Sequence, residues 1–130
     1  MALNITALYA SLVGLLLIFL SSRVVRWRRQ LSVGLGDGGE ENLLRAQRVQ
    51  ANFIEYVPIA LILLAAAESQ GLTGWSLHTG GAILVVARLL HAWGLSKSSG
   101  RTFGRFWGTL LTWVVILALS LANIYGVLAG

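Results

Sequence analysis

Four long stretches constrain this chain more than anything else in its 130 residues: 3–22, 41–68, 75–95 and 104–128. All are apolar, although the second is polar in its first third. About 20 apolar residues make one bilayer crossing when they coil into a helix. Inside hydrocarbon each backbone N–H and C=O must find its partner within the segment, which selects helix over open strand. Only 12% of residues are charged and the mean hydropathy is +0.74, whereas a soluble domain carries roughly 25% charged residues. The fold class that follows is all-α: an integral membrane four-helix bundle, one domain over residues 1–130.

Charge sets the expected orientation. The ten Lys and Arg residues are Arg23, Arg26, Arg28, Arg29, Arg45, Arg48, Arg88, Lys97, Arg101 and Arg105. All fall near the connection between the first two spans or that between the last two. This is the positive-inside pattern. It places the basic loops on the cytoplasmic side and both termini outside. The same distribution turns the net charge of +5 away from nucleic acid, so no such partner is expected. The first span is not read as a secretory signal, because its basic cluster follows it and no Ala-x-Ala site appears. Trp27 and the arginines around it are expected at the membrane interface, snorkelling to headgroups.

Other features narrow the chemistry. Without cysteine, disulfides, thiolate metal sites and a cysteine nucleophile are excluded. His78 and His91 fall toward opposite sides of the bilayer with no accompanying ligand cluster, so no metal site is expected. The glycine-rich segment 34–39 is a loop whose spacing is neither Walker nor Rossmann. Pro58 removes one backbone bond inside the second helix and is expected to kink it. Gly100, Gly104 and Gly108 form a small-residue ridge that allows close packing.

Arg45, Arg48, Asn52 and Glu55 follow one another at steps of three, four and three, which is one face of a helix. The segment runs into the apolar residues 59–67 without a turn signal. Charges so placed are costly and mark a partner or a task. Arg88 and His91 lie one turn apart on the third helix, and Arg101 and Arg105 open the fourth. Arg45 is expected to meet Glu41. Arg48 and Glu55, seven apart, are too distant for an i,i+4 pair. Arg88 is expected either to pair with Glu55 or to touch a ligand. Arginine forks hold carboxylates, a carboxylate holds an ammonium group, and a nearby arginine favours a thiolate. A peptide with two carboxylates and one amine matches such a set.

At these residues the sequence resembles the MAPEG family, the membrane-associated proteins of eicosanoid and glutathione metabolism. The resemblance rests on Arg48, Gln50, Asn52, Glu55, Tyr56 and Pro58 at the family's helix-2 spacing. Arg88 and His91 are similar to its Arg-x-x-His/Tyr element, and Arg26 to Arg28 resemble its first basic cluster. The segment 33–39 resembles that of a bacterial branch, which implies the inner membrane. The resemblance implies a homotrimer with glutathione bound between subunits near the cytosolic face. Arg48, Asn52, Glu55 and Tyr56 would bind it from one subunit, and Arg26, Gln50, Arg88 and His91 would contribute around the same site. An arginine at the helix 3–4 turn, Arg101 or Arg105, would stabilise the thiolate. The implied activity is glutathione transferase or peroxidase action on a lipophilic substrate or lipid, without a metal. Leu95 stands where catalytic members commonly carry tyrosine, which favours a non-catalytic glutathione- or lipid-binding scaffold as the alternative. A small four-helix multidrug exporter ranks last, since its first span would carry a carboxylate and this one has none.

Overall fold

The computed structural model describes every residue except Met1, Ser99 and Arg101. Its helices are α1 (Asn4–Leu31), α2 (Glu41–Ser69), α3 (Gly74–Lys97) and α4 (Phe103–Ala129). Each is long and apolar enough to cross a membrane. They alternate in direction, so the end of α1, the start of α2, the end of α3 and the start of α4 share one end of the bundle. That basic end holds the described Lys and Arg residues.

One boundary differs from expectation. Helix α1 continues well past residue 22 and carries Arg23, Arg26, Arg28 and Arg29 on its last turns. Cations suit a helix C-terminus, where the backbone dipole is negative. The helix stops at Ser32, which adopts a left-handed conformation with φ 55°. Arg28 turns back onto the loop: its Nη1 donates to the carbonyls of Val33 at 3.3 Å and Gly36 at 2.9 Å. Gln47 of α2 donates to the same Gly36 carbonyl at 2.8 Å. The glycine-rich loop is thereby held against both helices. Gly38 has φ 61°, and a Cβ there would run into Val33. Pro58 does not break α2, which remains helical from Glu41 to Ser69.

Helix α2 is central. Leu43, Ala46, Val49, Phe53, Val57, Ala60, Leu64 and Ala67 form one buried stripe along it, touching all three other helices. Lipid is as apolar as leucine, so helices associate here through close packing and polar bonds more than through water exclusion. The tightest crossing joins α3 to α4. Gly94 of α3 faces Gly104 and the Arg105 backbone, while Gly108 of α4 lies on the Ala87 carbonyl and His91 backbone. Of the expected ridge, Gly104 and Gly108 make this contact, whereas Gly100 is exposed in the turn before α4.

At the opposite end Glu68, in the last turn of α2, reaches the start of α1. Its carboxylate accepts from the backbone N–H groups of Ile5 at 3.0 Å and Thr6 at 2.8 Å. Helix α1 has no side-chain cap of its own, so Glu68 supplies acceptors that its first turn lacks. Tyr9 and His78 join α1 to α3 through a 2.9 Å bond, and Gln70 joins α2 to Asn123 of α4 at 2.8 Å.

Gly108→Ala places a Cβ about 2.6 Å from backbone atoms of α3. Overpacking of this kind costs about 1–3 kcal/mol, so thermal melting in detergent is expected to show a clear loss. Gly14→Ala, which meets nothing within 4 Å, is expected to melt like the parent. Glu68→Ala is expected to lower the melting temperature and to speed hydrogen exchange at the Ile5 and Thr6 amides.

Candidate functional site

Arg45, Arg48 and Asn52 each precede a residue of the α2 buried stripe by one position and Glu55 precedes Val57 by two, so the polar stripe flanks the core. Arg45 donates to Asn42 Oδ1 at 2.7 Å. Arg48 Nη2 donates to Glu55 Oε1 at 3.3 Å, with both side chains 53% exposed. This corrects the expectation that seven residues separate the two too widely. Two helical turns are about 10 Å, and two long side chains leaning together span that distance.

Asn52 lies between them and is half-buried. Its Oδ1 accepts from Arg88 Nη2 of α3 at 2.6 Å. Arg88 is only 2% exposed. Its Nη1 reaches the Thr112 hydroxyl of α4 at 3.4 Å, and its guanidinium carbon lies 5.9 Å from the centre of the Phe53 ring. Among the described residues no carboxylate lies within 4 Å of Arg88. The expected pairing with Glu55 is therefore replaced by an amide, a hydroxyl and an aromatic face. Its Nε has no partner.

His91 is also 2% exposed, and its Nδ1 has no partner. Arg48, Arg88 and Arg105 all lie close enough for their charges to act on it. Glu55 and Tyr56 lie similarly close to Arg88. Helices α2, α3 and α4 thus bring their polar residues to one depth near the basic end. Arg105 lies exposed in the first turn of α4, with Nη1 directed at the Gly100 carbonyl at 3.4 Å, and Thr102 caps that helix. Arg101, the other candidate for thiolate stabilisation, lies outside the described residues.

The remaining expected site residues belong to the α1 side. Gln50 donates to Ser21 of α1 at 2.8 Å, so within this chain it ties α2 to α1. Arg23, which had no expected role, donates to Ser96 of α3 at 2.6 Å. Arg26 is exposed on the last turns of α1. Leu95 is buried in an apolar cluster with Val13, Leu20 and Phe53. Among the described residues no cluster of three metal-ligating side chains occurs.

Thr112 and Phe53 escaped the sequence reading. Phe53 reads as one more core residue in the α2 stripe. Thr112 stands in a long apolar run where a single hydroxyl carries no charge, and its spacing of four from Gly108 was its one signal.

The arrangement is a basic surface region in which Arg48, Glu55 and Arg105 are exposed around the half-buried Asn52. Ion pairs as exposed as Arg48–Glu55 contribute at most about 1 kcal/mol. Arg48→Met and Glu55→Gln are therefore expected each to leave the thermal midpoint within a few degrees of the parent. A collapse of the fold in either variant would make the stripe structural.

Comparison with known proteins adds a family. The model of the MAPEG family matches residues 6–125. The chain is 40% identical over 121 residues to the inner membrane protein YecN of Escherichia coli K12, covering 93% of this chain and 91% of that one. The same figures hold for YecN of Escherichia coli O6:H1 strain CFT073. With four spanning-length helices, the helix-2 motif and a match over nearly its whole length, the chain belongs to the MAPEG family of membrane proteins.

Proposed function

We propose that the protein binds glutathione at the basic end of the bundle and transfers it to lipophilic electrophiles, or uses it to reduce lipid hydroperoxides. The observation that carries this reading is the charge imbalance of this region. Arg48 and Arg88 meet the same face of α2, Arg48 through Glu55 and Arg88 through Asn52, Arg105 opens α4 at the same end of the bundle, and among the described residues Glu55 is the carboxylate on that face. An excess of buried or half-buried cation is satisfied by an anionic ligand. Glutathione brings two carboxylates for arginine forks and an ammonium group for Glu55. The half-exposed Arg48–Glu55 pair is open enough to exchange its internal bond for such ligand contacts.

In the transferase reaction the bound thiol gives up its proton. The thiolate sulfur then forms a bond to the electrophilic carbon, and the leaving group departs with the bonding pair. In the peroxidase reaction the hydroperoxide is reduced to alcohol and water while two glutathione molecules become the disulfide. Arg105 or Arg101 is the proposed stabiliser of the thiolate, since a cation beside a thiol favours its ionised form. The proposed assembly is a homotrimer in the bacterial inner membrane with the basic end toward the cytoplasm. Arg26, Gln50 and His91 are proposed to complete the site around a subunit boundary.

A non-catalytic reading, in which glutathione or a lipid is held without turnover, is favoured by Leu95. This residue puts hydrocarbon at a position where a hydroxyl would otherwise help to fix the sulfur.

The test is glutathione titration of the detergent-purified protein, with ultraviolet difference absorbance for the thiolate. Saturable binding with a thiolate signal near neutral pH is expected. Arg48→Ala and Glu55→Ala are expected to weaken binding about tenfold or more, in line with the loss of a charge-assisted contact. Binding without thiolate would favour the non-catalytic reading. No binding at millimolar glutathione would overturn the proposal.

A further inference from the structure

Arg88 and Asn52 are bonded to each other, and their chemistry fixes which end of the amide is used. A guanidinium offers N–H donors and no acceptor. The Asn52 atom 2.6 Å from Arg88 Nη2 is therefore the amide oxygen, because the flipped amide would set donor against donor. Thr112 is fixed by the same logic. Its one hydroxyl proton goes to the Gly108 carbonyl at 2.7 Å, which leaves a lone pair for Arg88 Nη1. Arg88 thus faces two acceptors, one from α2 and one from α4.

The other end of the amide is then determined. Asn52 Nδ2 has no partner among the described residues. It belongs to a half-buried side chain on the face of α2 that carries Arg48 and Glu55. Arg88 itself is too deeply buried to reach a ligand on that face.

We propose that Arg88 is a positioning residue: it turns Asn52 so that the amide presents N–H donors, and no acceptor, to a carboxylate or peptide carbonyl oxygen of the bound ligand. This rests on the glutathione reading above and narrows it. The ligand atom at Asn52 is an oxygen acceptor, and the ammonium group belongs at Glu55. A planar fork bridges α2 and α4 at once, which a single ammonium group on a flexible stem does poorly. That difference accounts for arginine at this depth despite its cost in a membrane.

Asn52→Asp is the decisive variant. A carboxylate accepts from Arg88 as the amide oxygen does and gives the buried guanidinium a counter-ion, but it removes both donors. Thermal melting of the full chain in detergent is expected at or above that of the parent, while glutathione affinity falls tenfold or more. Arg88→Met should also weaken binding, with partial recovery in Arg88→Lys. The double variant Arg88→Met/Asn52→Ala should bind no more weakly than Asn52→Ala alone, since a residue that acts through another gives non-additive losses. Parent-like binding by Asn52→Asp, or additive losses in the double variant, would overturn the proposal. A parent protein that does not bind glutathione would remove the glutathione reading instead. Melting then tests the amide orientation by itself: Asn52→Asp melting below the parent overturns it, and melting at or above the parent supports it.

Discussion

A buried guanidinium with no carboxylate within 4 Å among the described residues is held by dipoles, and Arg88 sets where three helices have to be. An unpaired cation at the centre of a spanning helix costs about 2.5–3.5 kcal/mol on insertion scales. Asn52 of α2 and Thr112 of α4 supply the oxygens, and the Phe53 ring supplies its negative face. Thr112 is held for this by the Gly108 carbonyl, and Gly108 is the residue that lets α4 lie against α3. The close crossing and the two hydrogen bonds of the Arg88 fork are thus one arrangement. A side chain at residue 108 would push away the helix that carries the acceptor.

The two ends of the bundle are built differently. Opposite the basic end, neighbouring helices are joined by local bonds: Glu68 to α1, Tyr9 to His78, Gln70 to Asn123. At the basic end the bonds between helices run mainly through arginine and glutamine side chains, and Arg48, Glu55 and Arg105 stay exposed. Long charged side chains that are half in solvent can exchange partners at little cost. The closed end fixes the helices, and the open end keeps the groups that a ligand needs.

Much of this was legible in the sequence because periodicity and charge are linear signals. The α2 stripe and the four spans read directly, and counting along each helix put Arg88 beside the α2 stripe, where it bonds Asn52. The end of α1 was misread because charged residues look like a boundary, while the backbone of a helix is indifferent to them until Ser32 turns left-handed. The Arg48–Glu55 pair was missed because side-chain reach, not residue spacing, decides contacts two turns apart. For Arg88, charge alone offered two partners, Glu55 or a ligand. The structure gives its two terminal nitrogens neutral oxygens, one of them on Thr112, and a neutral hydroxyl leaves no trace in a charge pattern.

The bond from Glu68 to the start of α1 joins groups more than sixty residues apart in the chain. Helix α1 is made first, and its leading N–H groups have no acceptor from their own side chains. The acceptor comes from the far end of α2, so the first turn of α1 is completed only when the two helices lie side by side as a hairpin.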